Sequence, residues 1–220
     1  MVAEAARRGA RVAVLPELHL CGYDLPTLTA NPGACEVPAD AAGAVTDRRP
    51  APLTEEAVRT GTLVLAGAAV RRADGALVNA LLRIDPSGSV SLGYAKQHLW
   101  HADEARMFTA GTGRDEFVDI DGWCLGSAIC YDMSFAAHAG AAALAGAHAY
   151  VCASAVYAPY GSLVDKAGTD REEVLVGELD PNEITRTRAF LHMLAERVRT
   201  REDRTRCRSV PRSTPAGRRP

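Results

Sequence analysis

Residues 123–132 read Trp-Cys-Leu-Gly-Ser-Ala-Ile-Cys-Tyr-Asp, and they form the stretch around which the chain is organised. Apolar residues lead up to Cys130, which indicates a buried strand that ends at a thiol. The Ala-rich residues 133–146 that follow predict a helix. Cys130 and Tyr131 would then occupy a strand-to-helix turn whose amides point toward a bound ligand. A cysteine at such a place is often a small buried hydrophobe, so a chemical role for Cys130 depends on partners elsewhere in the chain.

Composition limits the classes of protein to which the chain can belong. With 220 residues, 47% of them hydrophobic, the chain can bury one core, so we expect one domain over residues 1–198. Residues 199–220 are rich in Arg, Ser and Pro and predict a disordered tail. The net charge of -2 disfavours a nucleic-acid or anionic-membrane partner and favours a small molecule. Without an apolar run of about 18 residues or a leader peptide, a cytoplasmic protein is expected.

Periodicity predicts alternating helices and strands, hence a mixed α/β (α+β) fold. Residues 62–71, 76–85 and 90–96 predict an antiparallel meander, and residues 116–120 predict a hairpin with the strand leading to Cys130. Long loops are expected over residues 21–52 and 97–114, and a last hairpin between residues 162–165 and 172–179. The remaining predictions are helices at residues 2–8, from Thr54 and from Pro181, with strands at residues 11–15 and 148–154.

Three chemically capable residues each follow an apolar strand: Glu17, Lys96 and Cys130. Charged side chains at strand ends usually belong to a solvated rim, which is the ordinary interpretation of each one alone. Taken together, a carboxylate, an ammonium and a thiol at three strand ends could instead form one reactive cluster.

The motifs around these residues are Pro16-Glu17-Leu18 with Gly22-Tyr23, Tyr94-Ala95-Lys96-Gln97-His98-Leu99 with Phe108 and Gly111, and Ile129-Cys130-Tyr131-Asp132. Together they resemble the motifs of the nitrilase superfamily of carbon–nitrogen hydrolases. The resemblance extends over roughly residues 1–198, with the motifs in the family's order.

The resemblance implies a role for each matching residue. Glu17 would be the general base, Lys96 the electrophilic stabiliser and Cys130 the nucleophile. Glu104 resembles the family's second glutamate, which orients substrate and base, and the backbone amide of Tyr131 would help to stabilise an oxyanion. The implied fold is a four-layer αββα sandwich, incomplete in this chain, and the family implies a homodimer or higher homo-oligomer.

The implied reaction is the hydrolysis of a small amide, N-carbamoyl compound or nitrile through a thioester. A free thiol ionises near pH 8.5 and a free carboxyl near pH 4.3, so a dry pocket must bring the two proton affinities together. The Lys96 ammonium is expected to favour the Cys130 thiolate, which predicts that this thiol is alkylated first. No metal and no organic cofactor is needed.

Two other kinds of site are weakly indicated. His98 and His101 with Asp103 and Glu104 could suggest a metal centre, but they lack a recognised ligand spacing. Gly111-Thr112-Gly113 lacks the third glycine and the lysine of a phosphate-binding loop. The cysteines show no Cys-x-x-Cys spacing, so a zinc knuckle and a disulfide framework are both unsupported.

The chain also departs from the family pattern. It is shortened before the first motif and after the strand that contains Cys152, and the family's Phe-Pro-Glu is replaced by Phe135-Ala136-Ala137. An alternative function is therefore a catalytically inactive remnant that acts as a binding module or does not fold stably. Amide turnover distinguishes this alternative from a hydrolase.

Overall fold

The computed structural model describes residues 1–113, 117–152, 155–157, 163–166 and 174–190. The described helices are α1 (Val2–Arg7), α2 (Leu25–Ala30), α3 (Pro32–Cys35), α4 (Ala51–Thr60), α5 (His101–Met107), α6 (Ala136–Leu144) and α7 (Pro181–Phe190), with a 3-10 helix at Cys130–Ser134. The described strands are β1 (Val12–Val14), β2 (Glu36–Pro38), β3 (Leu63–Arg71), β4 (Leu77–Ile84), β5 (Val90–Ala95), β6 (Phe117–Ile120), β7 (Trp123–Ala128), β8 (Ala149–Cys152), β9 (Ala155–Tyr157) and β10 (Leu163–Lys166).

The first sheet has five strands and is organised around β3. Strands β3, β4 and β5 form the predicted antiparallel meander, which is confirmed. Strands β1 and β2 both pair in parallel with β3, β1 opposite its beginning and β2 opposite its end. The chain between β1 and β2 therefore emerges at the middle of β3, which is where Glu17 lies.

The second sheet has the order β6-β7-β8. The predicted hairpin between β6 and β7, with its turn at Asp121 and Gly122, is confirmed. Strand β8 pairs in parallel with β7, and α6 forms the crossover between them. The predicted last hairpin was wrong in its pairing, because β10 pairs with β9 and residues 174–179 form no strand.

Side chains of β3 alternate between two cores, as the period of a strand requires. Its even-numbered residues Val64, Ala66, Ala68 and Val70 pack with Val2 of α1 and Ala57 of α4. Its odd-numbered residues Leu63 and Leu65 pack with Val118 and Leu125 of the second sheet. At Gly126 of β7, a Cβ atom would lie 2.9 Å from the Cβ of Ala142 on α6. The layers therefore follow one another as helix, sheet, sheet and helix.

The structure corrects the predicted loops. Residues 21–52 contain α2, α3 and β2, and residues 97–114 contain α5. Helix α4 begins at Ala51 rather than at Thr54, and Gly61 ends it with the expected left-handed φ of 66°. Residues 199–220, predicted as a tail, lie outside the described residues. None of the described helices is both long enough and apolar enough to cross a membrane.

Candidate active site

Glu17 lies in a tight turn that follows β1 in the chain and packs against the middle of β3. The next residue, Leu18, is fully buried and has a left-handed φ of 49°. The turn lies so close to β3 that a Cβ atom on Gly67 would come 2.1 Å from the Pro16 carbonyl oxygen and 2.8 Å from the Glu17 carbonyl carbon. Gly67 is thus required for this close approach. The backbone amide of Leu20 donates to the Gly67 carbonyl at 3.0 Å and closes the turn.

Lys96 follows β5, and its side chain is completely buried. Its ammonium donates to Glu17 Oε1 at 2.7 Å and to the two carboxylate oxygens of Glu104 at 2.9 and 3.0 Å. Its backbone carbonyl accepts from the Gly111 amide at 2.8 Å. The structure therefore brings together three of the predicted residues, Glu17, Lys96 and Glu104, in one buried ionic cluster.

Glu104 is the buried residue of α5 and has no exposed surface. The Tyr23 hydroxyl donates to its Oε1 at 2.5 Å, and the Trp100 backbone amide donates to its Oε2 at 2.7 Å. Burial and this hydrogen bond to Glu104 both raise the pKa of Tyr23, so its hydroxyl stays protonated. With these donors and Lys96, the Glu104 carboxylate is fixed in place.

Asn79 belongs to the same cluster, although sequence reasoning did not identify it. It lies in β4, is fully buried, and donates from its side-chain nitrogen to Glu17 Oε1 at 2.7 Å. Its backbone carbonyl accepts from the Lys96 amide at 2.8 Å. The only signal in the sequence is an uncharged polar residue within a strand of mostly apolar residues. Asn79 therefore contacts both Glu17 and Lys96 and fixes their relative positions.

The charge of Lys96 follows from its contacts. Burial acts to lower the pKa of Lys96, because an ammonium loses hydration in the interior. The hydrogen bonds and charges of Glu17 and Glu104 outweigh this effect, and the pKa is raised above its ordinary value. The site therefore holds a permanent cation at neutral pH.

Cys130 begins the 3-10 helix after β7, is exposed, and has a left-handed φ of 43°. Desolvation raises the pKa of its thiol, and the charge of Glu17 and a hydrogen bond to it raise the pKa further. Lys96 acts in the opposite direction, as predicted, but does not prevail. The pKa of the Cys130 thiol is therefore raised overall, because desolvation and Glu17 together outweigh Lys96. Burial and Glu17 thus favour the protonated form of the Cys130 thiol.

Tyr131 follows Cys130 in the 3-10 helix, and its ring packs edge-on against Phe135 with centroids 5.1 Å apart. Its predicted role through the backbone amide stays a prediction. Cys21, Cys35 and Cys152 are free thiols with less exposure than Cys130. Cys124 is disulfide-bonded, which the cysteine spacing had not predicted.

Potential metal ligands also come together, but in a different set from the one considered in the sequence. Among the described residues, His98, Asp132 and His138 place ligand atoms within 4.8 Å of one another. The two oxygens of Asp132 already accept four hydrogen bonds from protein donors. These bonds use the acceptor capacity of a carboxylate without a cation. His101 and Asp103 are mostly exposed and lie outside this group.

The fold and the order of the site segments match one class of hydrolases. Residues 1–152 match the sequence model of one family, described as Carbon-nitrogen hydrolase. The chain therefore belongs to the carbon–nitrogen hydrolase family, the nitrilase superfamily, and the resemblance found in the sequence is confirmed.

Individual relatives agree with this assignment. The chain is 34% identical over 160 residues to the "Hydrolase in pqqF 5'region" of Pseudomonas protegens, covering 71% of this chain and 52% of that protein. It is 28% identical over 132 residues to the 2-oxoglutaramate amidase of Bacillus subtilis, covering 60% and 47%. Nit3 of Saccharomyces cerevisiae shares the fold, with a TM-score of 0.71 at 19% identity over 86% of this chain and 84% of that one. The chain spans about half the length of the curated relatives it matches.

Proposed function

We propose that the chain hydrolyses a carbon–nitrogen bond of a small non-peptide molecule, most simply an amide, through a thioester on Cys130. The observation that carries this proposal is the buried Lys96 ammonium held between Glu17 and Glu104, with the Cys130 thiol interacting with Glu17. A 2-oxoglutaramate amidase among the relatives supports an amide over a nitrile. N-carbamoyl compounds and nitriles remain the other substrate classes to test.

The proposed reaction begins at the thiol. Glu17 accepts the Cys130 proton as sulfur attacks the carbonyl carbon, and this order fits a resting thiol next to a carboxylate. Lys96 and the Tyr131 amide stabilise the oxyanion, and one such donor is typically worth about 3 kcal/mol. Glu17 returns the proton to the nitrogen as ammonia or an amine leaves. Water activated by Glu17 then hydrolyses the thioester and frees the sulfur.

Glu104 has a supporting role in this proposal. It neutralises and positions the Lys96 ammonium, and its contacts with Tyr23 and Trp100 leave it little freedom to move. No step requires a metal or an organic cofactor. The predicted homo-oligomer and the predicted cytoplasmic location stay predictions.

The test is ammonia release from a panel of small amides, N-carbamoyl compounds and nitriles. We expect turnover of at least one amide by the wild-type chain and none above background by Cys130→Ala or Glu17→Gln. The matched control is Cys35→Ala, which removes a buried thiol on α3 and should keep turnover. If the folded wild-type chain turns over no member of the panel, or if Cys130→Ala equals wild type, the proposal is wrong. In the first case an inactive binding module becomes the better account.

A further inference from the structure

A second buried carboxylate lies two residues after Cys130. Asp132 has no exposed surface, and its Oδ2 accepts from the Ile129 amide at 3.0 Å and from the Tyr94 hydroxyl at 2.6 Å. Its Oδ1 accepts from the backbone amide of His98 at 2.8 Å and from His98 Nδ1 at 2.9 Å. Four donors converge on one carboxylate, so its orientation is fixed.

These donors connect two parts of the site. Tyr94 and His98 lie two residues before and two residues after Lys96, and Ile129 lies immediately before Cys130. Asp132 therefore joins the turn that carries the thiol to the segment that carries the ammonium. The turn needs such support, because a non-glycine residue in the left-handed region is strained and Cys130 has a φ of 43°.

His138, in the first turn of α6, extends this network. Its ring is buried, with Nε2 2.9 Å from the Tyr94 hydroxyl and Nδ1 2.7 Å from the Tyr150 hydroxyl. The Tyr94 proton is committed to Asp132 by the shorter, charge-assisted bond, so the Tyr94 oxygen can only accept from His138. His138 Nε2 also lies 3.0 Å from Gln97 Nε2, so this ring nitrogen contacts both Tyr94 and the residue that follows Lys96.

The chain of contacts runs across four elements of the fold. Tyr150 belongs to β8, His138 to α6 and Tyr94 to β5, and the last of these contacts Asp132 in the 3-10 helix. We infer that Asp132, Tyr94 and His138 are positioning residues that hold Cys130 in register with Lys96. The inference rests on the proposed function, because this register matters for catalysis only if the two groups act on one substrate atom.

The test uses near-isosteric changes and a matched control in the full chain. Asp132→Asn replaces acceptor capacity with donors, Tyr94→Phe removes one donor, and His138→Ala removes the link to α6. His138→Gln keeps a donor near the position of Nε2 and should restore function. The control is His148→Ala. His148 is likewise a buried histidine, and its Nδ1 accepts from the Cys124 backbone amide at 3.0 Å.

Two readouts are measured for each variant: turnover of the amide found in the panel, and the rate of iodoacetamide labelling of Cys130 by peptide mapping. We expect Asp132→Asn and His138→Ala to lower kcat by about tenfold to a hundredfold with KM within about threefold, because about 1 Å of displacement costs about a hundredfold. Labelling of Cys130 should become at least about threefold faster, as the thiol leaves the neighbourhood of Glu17 that suppresses its ionisation. His138→Gln should stay within about threefold of wild type in both readouts.

The inference is wrong if the three positioning variants keep both kcat and Cys130 labelling within about twofold of wild type. It is also wrong if Cys21 and Cys35 label faster together with Cys130 and the effect matches that of His148→Ala, because a general loss of stability then explains the result. If the wild-type chain turns over no amide, the proposed function fails separately, and the labelling rates alone decide whether Asp132 and His138 fix the position of Cys130.

Discussion

Gly67 offers a direct test of how the fold positions Glu17, the proposed general base. This residue lies in β3 against the turn that carries Glu17, and all three nearest atoms to an added Cβ belong to the backbone of that turn. The substitution Gly67→Ala would place the new carbon 2.1 Å from the Pro16 carbonyl oxygen and 2.5 Å from the Leu18 nitrogen. Backbone atoms cannot rotate away as a flexible side chain can, so either the turn or the strand must move.

The size of the displacement follows from the contact distance. A carbon and an oxygen that are not bonded need about 3.2 Å, so the turn must withdraw by about 1 Å from β3. Overpacking of this kind costs about 1–3 kcal/mol of stability. The larger effect should be on catalysis, because a displacement of about 1 Å in a catalytic group costs about a hundredfold in rate. Glu17 would move away from both Lys96 and Asn79.

The assay compares kcat and the unfolding midpoint of Gly67→Ala with those of Gly140→Ala. Gly140 lies in α6, and a Cβ atom there would meet nothing within 4 Å. The control should gain about 0.5–1 kcal/mol from helix propensity and keep its activity. If Gly67→Ala unfolds at the wild-type midpoint and keeps kcat within about threefold, the close approach does not position Glu17 and the reasoning is refuted.

Further predictions concern Asn79, Lys96 and two of the thiols. Asn79→Asp should lower turnover by about tenfold or more, because it replaces the donor to Glu17 with a second carboxylate. Ammonia release measures the turnover, and a wild-type rate would contradict the prediction. Lys96→Met should lower the free energy of unfolding by about 3–5 kcal/mol, since it leaves buried carboxylates without their cation, and a denaturant titration measures the loss. Iodoacetamide at pH 8 should label Cys130 before Cys152, because burial raises the pKa of Cys152 to about 11 and leaves about one thousandth of it as thiolate. The Cys130 rate should keep increasing above the ordinary thiol pKa of about 8.5, because its own pKa is raised, and an early plateau would count against the contact with Glu17.

The sequence predicts β3 and β4 because their pattern is local, whereas it misses β2 and gives the last hairpin the wrong pairing. Strands β3 and β4 are predominantly apolar and bounded by turn residues, so they can be identified without knowledge of their neighbours. The order of the three motifs likewise indicates Glu17, Lys96 and Cys130 as candidate site residues from the sequence alone.

Helix α5 shows why the remainder could not be predicted. It has seven residues, and its buried residue is Glu104 rather than an apolar side chain. A helix this short is marginal on its own, so tertiary contacts must stabilise it. Among those contacts are the bonds of Glu104 with Lys96 and Tyr23, which lie outside residues 97–114 and so cannot be inferred from that segment alone.

Asn79 and the net pKa shift of Cys130 were missed for a related reason. The role of Asn79 depends on its hydrogen bond to Glu17, which lies 62 residues away in the chain. The motifs place both Lys96 and Glu17 near Cys130, but they do not say which charge dominates the thiol. In the structure, burial and Glu17 raise the pKa of the Cys130 thiol by more than Lys96 lowers it.

The central claim is that Cys130 becomes acylated during turnover, and the most direct test is to detect that acyl group. The amide found in the panel is mixed with the full chain, the reaction is quenched in acid within the first turnover, and the Cys130 peptide is weighed by mass spectrometry. We expect the peptide to gain the mass of the acyl group, to keep it longer in Glu17→Gln if any acylation occurs there, and to show no such gain in the corresponding peptide of Cys130→Ala. Continued turnover by Cys130→Ala, or acylation of another residue in its place, would contradict the account.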